Sequence, residues 1–264
     1  MIDPKILIIP DIHGRDFYKE AVSEAVCSDI EMVCLGDYLD PYWWDELHED
    51  GVFEPLKELV RVKKSRPDKT HLLIGNHDSS YFYRRDMCRT RYDIDNAPIY
   101  RYYFRKNSML FDLFYDTVIA ERRFLFSHAG VTKTWLSNIK SSAESIDDKL
   151  TWLKEHFNEF RNDFTRTAIW EHLSQIGEER GGRDDSGSMI WADFFEHADK
   201  KNWIDDDNII QIVGHTQLNS HPARIDNRLY CLDCRSPFYV DNKGVIRSWG
   251  TDENIMFKYN ILEK

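Results

Sequence analysis

Six side chains placed between residues 11 and 215, Asp11, His13, Asp37, Asn76, His128 and His215, make an inventory of carboxylate, amide and imidazole with no thiolate. Oxygen and nitrogen donors in this mixture suit manganese, iron, zinc or nickel, and magnesium less well because of the imidazoles. Six donors exceed the needs of one closed tetrahedral site, whereas two adjacent cations sharing a carboxylate would use them all. Cations paired in this way polarise substrate oxygens and lower the pKa of a bridging water until hydroxide exists near neutral pH.

Each donor stands at the end of a short apolar run. KILIIP leads to Asp11 and His13, EMVCLG to Asp37 and Asp40, and HLLIG to Asn76, His77 and Asp78. RRFLFS leads to His128, and NIIQIVG to His215, Thr216 and Gln217. One such cluster, GNHD for instance, could be an ordinary turn, because Gly, Asn and Asp tolerate left-handed backbone and bond their own main chain. Five strand ends carrying the same residue types are harder to read as turns alone. Between the first runs lie segments of helical period, with Phe17, Ala21, Val22 and Ala25 on one face and Phe53, Leu56, Leu59 and Val60 on another. Strand, loop, helix, strand is the pattern of an α/β sheet, whose ligands sit beyond the carboxyl ends of its strands. The five clusters are therefore expected along one sheet edge.

The chain has 264 residues, 42% of them hydrophobic and 14% aromatic, ample for a globular core. Lys plus Arg number 35 against 46 Asp plus Glu, a formal charge of −11. This balance argues against nucleic acid as a partner while leaving room for a cationic site built by metal. No apolar run approaches the ~20 residues of a membrane span, and the N-terminus lacks the pattern of a signal peptide, so a cytoplasmic protein without a membrane partner is expected. Five cysteines, Cys27, Cys34, Cys88, Cys231 and Cys234, scattered through apparent core segments, fit reduced buried thiols, and the pair Cys231 and Cys234 reads as packing within the strand-like RLYCLDCRSPFYV.

Residues 132 to 205 break the rhythm. Ile146, Leu150, Leu153, Phe157, Phe160 and Phe164 predict a long amphipathic helix, with Ser145 and Asp148 as its capping pair and Gly181 and Gly182 as its stop. The expected organisation is a single domain over 1–264 with a helical insertion or lid at about 132–205.

In order and spacing, DIHG, GDYLD, GNHD, SHAG and GHT resemble the motif blocks of the calcineurin-like metallophosphoesterases, in particular their phosphoprotein-phosphatase and diadenosine-tetraphosphatase branch. MIWADF, with Trp191 and Asp193, is similar to a Trp-x-Asp segment of the protein phosphatases. The resemblance implies an α/β (α+β) fold in which a two-sheet β-sandwich is flanked by helices in four layers, αββα. It also implies a dinuclear site for two divalent metal ions, with Mn2+ favoured and Fe, Zn, Ni or Mg as alternatives. Carried over residue by residue, Asp11 and His13 would hold one metal, Asp37 would bridge, and Asn76, His128 and His215 would complete the other. His77 would be the general acid and Asp40 would hold its imidazole protonated.

Three departures stand out: Gln217 occupies a place where many members have a further His, Pro41 replaces the phosphate-gripping Arg after the second block, and Asp78 replaces the Glu of the protein phosphatases. Arg15, Arg84 and Arg235 are the substrate-binding candidates left to supply the missing guanidinium, together with Arg85 and Arg183. The implied function is a metal-dependent phosphomonoesterase of serine/threonine protein-phosphatase type. A hydrolase of dinucleoside polyphosphates or other small phosphoesters is the second reading, favoured by Asp78, the lost Arg and an aromatic PYWW that could stack a base. A non-catalytic binding scaffold on the same fold is the third.

Overall fold

The computed structural model describes residues 4–47, 49–83, 91–139, 145–251 and 255–261. Twelve strands are described: β1 (Pro4–Ile9), β2 (Glu31–Cys34), β3 (Thr70–Leu73), β4 (Phe111–Asp112), β5 (Phe114–Ile119), β6 (Arg122–Ser127), β7 (Ile209–Val213), β8 (Ala223–Ile225), β9 (Leu229–Cys231), β10 (Phe238–Asp241), β11 (Ile246–Ser248) and β12 (Tyr259–Ile261). They form two six-stranded sheets, one ordered β11-β10-β1-β2-β3-β4 and the other β12-β8-β9-β7-β6-β5. Both sheets are mixed, but β1, β2 and β3 run parallel in the first, as do β6 and β7 in the second.

The five apolar runs are thus strands, as their composition predicts, but they do not share a sheet. The one edge expected from the pattern of runs gives way to the two-sheet sandwich implied by the motif resemblance: three of these strands lie in one layer and two in the other. The apolar runs are continuous because both faces of these strands are covered. Ile6 and Ile8 of β1 point to the space between the sheets, where they meet Phe124 and Phe126 of β6 and Ile210 and Ile212 of β7. Leu7 and Ile9 point the other way, onto a second core that includes Val22 and Ala25 of the helix Lys19–Cys27 and Leu56 and Leu59 of the helix Glu54–Ser65. The two-residue period of a strand puts alternate side chains into alternate cores. Beyond the second sheet, Gln211 of β7 bonds the backbone of Val131 in both directions, tying on the segment that opens the helix Lys133–Asn138.

The long helix spans Ile146–Asn162, and Ser145 caps it by accepting from the Asp148 N–H at 3.2 Å. It ends well short of Gly181, because the Asp163 carboxylate turns back onto the Thr165 N–H at 3.0 Å and leaves Phe164 outside the helix. Its inward stripe reaches Phe82, whose ring lies 5.9 Å from Phe157 and 5.7 Å from Phe160. This helix therefore buttresses the end of the helix Asn76–Phe82, which begins with two of the predicted site residues. No helix among the described residues is long and apolar enough to cross a membrane; Cys34, Cys231 and Cys234 are buried free thiols as expected, whereas Cys27, at the end of the helix Lys19–Cys27, is exposed, and Cys88 lies outside the described residues.

Candidate metal centre

Backbone hydrogen bonds sew the strand-end loops together before any side chain is considered. The N–H groups of Ile12 and His13 both donate to Asp37 O, at 3.0 and 2.8 Å. Gly214 N donates to His128 O at 2.8 Å. The two sheets are joined where His215 N reaches both Asp11 oxygens at 3.0 and 3.1 Å. Asp78, a clue to substrate in the sequence, has a structural task as a clamp. It is buried, and its carboxylate accepts from the backbone of Asp37, Gly75 and Tyr38 at 2.7, 2.9 and 3.1 Å.

The turns are tight enough to force left-handed backbone on non-glycine residues. His13, Asp37, Asp40 and His215 have φ of 47°, 51°, 60° and 63°. Such conformations cost of order 1 kcal/mol each and persist where surrounding structure over-determines them, which is typical of functional loops. Two glycines provide the space. A Cβ on Gly75 would lie 2.1 Å from Asp37 Oδ1, and one on Gly214 2.0 Å from Asp11 Oδ1. Gly75→Ala is accordingly expected to push the Asp37 carboxylate aside and weaken metal affinity by about 10- to 100-fold, as measured by metal titration, with a preserved far-ultraviolet circular dichroism spectrum.

All six donors are buried and converge. Asp11, His13 and Asp37 form one set of mutually adjacent ligand atoms; Asp37, His128 and His215 form another. Asn76 Oδ1 lies 3.0 Å from both His128 Nε2 and His215 Nδ1. The direction of the lone pairs tests whether a cation fits. The Nδ1–H of His128 donates to Leu35 O at 2.8 Å, so its Nε2 presents a lone pair to Asn76 Oδ1, itself an acceptor. The Nδ1–H of His13 donates to Leu39 O at 2.7 Å, so its Nε2 lone pair faces Asp37 Oδ2 at 3.6 Å. Acceptors aimed at acceptors in a dry site repel unless a positive charge lies between them, and tautomers fixed by a carbonyl are how imidazole ligands are held.

The protonation equilibria tell the same story. Burial pushes Asp11 and Asp37 each up to about 6, and it depresses the imidazoles of His13, His128 and His215. Without a cation the pocket favours neutral groups, and a bound cation reverses that preference for the carboxyls. The imidazoles are already unprotonated near neutrality, so the protons that compete with metal sit on the carboxyls. Metal affinity is expected to hold above about pH 6 and to fall below it, roughly tenfold per pH unit for each carboxyl that must ionise. Calorimetric metal titrations at several pH values measure this.

His77 and Asp40 lie beside the donors. The Nδ1–H of His77 donates to Asp40 Oδ2 at 2.8 Å, and Tyr81 hydroxyl donates to Asp40 Oδ1. Burial drives Asp40 up to about 7 and His77 down to about 4, toward a neutral pair. His77 Nε2 accepts from Arg91 Nη2 at 2.9 Å.

Among the arginines selected from sequence, Arg15 and Arg235 are both paired to Asp45, at 3.1 and 3.0 Å, on the wall next to Tyr42. Arg84, with Arg85, lies outside the described residues. Arg183 is exposed. Two arginines that reach the site were not singled out: Arg91, and Arg180, whose Nη2 donates to His215 O at 3.0 Å while its Nε pairs with Asp193 Oδ2 at 2.7 Å. Neither belongs to a motif block, and no periodicity marks them.

A profile of the calcineurin-like phosphoesterase family matches residues 4–218. No curated protein sequence matches the chain. Among solved structures, the chain is similar to a cold-active protein-tyrosine phosphatase of a psychrophilic Shewanella species, with 15% identity, a TM-score of 0.56, and coverage of 93% of this chain and 80% of that one. It is also similar to a protein serine/threonine phosphatase from Saccharomyces cerevisiae, with 14% identity, a TM-score of 0.50, and coverage of 96% and 82%.

Proposed function

From the premise that this chain belongs to the calcineurin-like phosphoesterase family, and is therefore a metal-dependent phosphoester hydrolase, we propose a phosphomonoesterase that acts on phosphoproteins and uses two divalent ions, manganese foremost. The observation that carries this reading is the sharing of one buried carboxylate, Asp37, by two ligand sets. The ions, when bound, supply Lewis acidity toward phosphoryl oxygens and an activated water. Asp11, His13 and Asp37 would hold one, and Asp37, Asn76, His128 and His215 the other.

The remaining work falls to the protein itself. His77 stands next to the ligand Asn76 without belonging to either ligand set; its Nε2, which accepts from Arg91 here, would have to lose that donor and take up a proton before it could protonate a departing alkoxide. Asp40 orients it through Nδ1, and Tyr81 fixes Asp40. Asp193 of the WADF segment caps the helix Phe194–Ala198 and accepts from the Thr216 hydroxyl at 3.2 Å, bracing the loop that carries His215. The chain is read as a single catalytic domain in which the segment at about 132–205 is an insertion supporting the His77 helix.

A second reading, hydrolysis of dinucleoside polyphosphates or other small phosphoesters, draws on the rim. Tyr42 stacks on Trp44 at 4.6 Å, its ring meets His13 edge-on at 5.2 Å, and the neighbouring Trp43 is 85% exposed. An aromatic leaving group could stack there. Turnover of p-nitrophenyl phosphate, its bis-ester, phosphoserine and phosphotyrosine peptides and diadenosine tetraphosphate, with and without manganese, separates the readings. Peptide turnover supports the first and tetraphosphate turnover the second. Metal-loaded protein that hydrolyses none of them would leave only a binding scaffold.

A further inference from the structure

Pro41 leaves the second motif block without a guanidinium, yet the structure brings one to the same place from another part of the chain. Arg91 Nη1 donates to Asp40 O, the carbonyl immediately before Pro41, at 2.5 Å. Its other terminal nitrogen donates to His77 Nε2 at 2.9 Å. The guanidinium lies 3.6 Å from the centroid of the Tyr42 ring, the residue immediately after Pro41. Arg91 itself has a left-handed backbone, φ 60°, a conformation that a bulky side chain adopts only under constraint.

Three properties of this arrangement point to a ligand. The carbonyl and the aromatic face hold the guanidinium plane without neutralising it, and an arginine stacked on a ring keeps its fork of donors free for an oxyanion. Its remaining partner is an uncharged imidazole nitrogen, a weaker acceptor than a phosphoryl oxygen. That nitrogen belongs to the side chain read as proton donor, so a leaving oxygen arriving there must displace Arg91 Nη2 and would bring its phosphoryl group within the reach of the same nitrogen.

We infer that Arg91 is the phosphoryl-binding residue of this chain: held by Asp40 O and Tyr42, it exchanges its bond to His77 for oxygens of a bound phosphate monoester. This rests on the reading of the site as a phosphoester hydrolase. It also names the substrate class, because a fork of N–H donors is best matched by a terminal phosphoryl group, with several unesterified oxygens, and less well by a diester.

The test uses manganese-loaded full-length protein with inorganic phosphate as the probe, titrated by calorimetry into wild type, Arg91→Ala and Arg91→Lys. The expected result is phosphate binding about 10- to 100-fold weaker in Arg91→Ala, with a smaller loss in Arg91→Lys, which keeps the charge but not the fork. KM for p-nitrophenyl phosphate should rise by a similar factor while the bis-ester is affected less, and millimolar methylguanidinium should restore part of the monoester activity of Arg91→Ala. Phosphate affinity of Arg91→Ala within twofold of wild type overturns the inference. If that variant fails to retain metal or to fold, Arg91→Lys decides, and wild-type phosphate affinity in it is equally fatal. A wild-type protein that hydrolyses no ester, yet whose phosphate binding depends on Arg91, would sink the hydrolase reading and leave the binding role standing.

Discussion

Replacing Asp37 by asparagine is expected to reduce kcat/KM by at least about 10^3-fold and to lower the metal content of the purified protein, because one side chain serves both ligand sets. Its Oδ2 lies 3.6 Å from His13 Nε2 in one set and 3.5 Å from His128 Nε2 in the other. Asparagine is the informative substitution. It keeps the shape, tolerates the left-handed backbone at this position, and still accepts the His77 N–H that Asp37 Oδ1 receives at 2.9 Å. Alanine would lose both and confound function with folding.

Stability should move differently from activity. The carboxyl is buried and driven up to about 6, so near neutral pH the metal-free wild type bears the cost of an ionised group in a dry pocket. Metal-free Asp37→Asn should therefore melt no lower than metal-free wild type near pH 7, while metal should raise the melting temperature of wild type far more than that of the variant. Elemental analysis, thermal melts with and without manganese, and steady-state kinetics read the three quantities. Full metal occupancy and undiminished turnover in the variant would remove the basis of the dinuclear assignment.

His77→Gln is expected to separate substrates by their leaving groups. If His77 protonates the departing oxygen, kcat for a phosphoserine peptide should fall about 10^2- to 10^4-fold, since an alkoxide cannot leave unprotonated. Loss on p-nitrophenyl phosphate should be far smaller, because nitrophenolate is a stable anion. Metal content should be unchanged, because His77 is absent from both ligand sets. Asp40→Asn should follow the same pattern more weakly, since it acts through its 2.8 Å bond to His77 Nδ1. Equal losses on both substrates would instead indicate damage to binding or to the metal centre, and would take the proton-donor role away from His77.

The strands were legible in the sequence for a simple reason. A strand covered on both faces must be apolar throughout, and its polar cargo can begin only where the backbone leaves the sheet, as at Asp11, Asp37, Asn76, His128 and His215. The Ser145 cap and the inward stripe of the helix Ile146–Asn162 were legible too, because both depend on residues within a few positions of one another. The end of that helix was misplaced. A local Asp163 turn, rather than the glycine pair, stops it.

What depended on distant segments was hidden from local pattern. The motif resemblance implied two sheets, but the runs and turns did not, because which apolar faces pair is decided in three dimensions and one-sheet and two-sheet arrangements share one pattern. The clamping role of Asp78 carries no local signal, since two of its three backbone partners lie about forty residues away in the second loop. Arg91 and Arg180 carry no local signal, since a guanidinium on a long flexible arm can serve a site from almost any loop that passes nearby.

By itself the sequence determined the chemistry available: an oxygen and nitrogen donor set, spaced on strand ends, with an imidazole and a carboxylate to spare. Only the tertiary structure decided how those donors point. His13 and His128 turn their Nε2 atoms inward because their Nδ1–H groups are taken by Leu39 O and Leu35 O, carbonyls that lie 26 and 93 residues away along the chain. Residue type is fixed by translation, but the direction of a lone pair is fixed by whatever binds the other side of the ring, and that neighbour exists for His13 only once β1 and β2 have paired and for His128 only once the two sheets have packed.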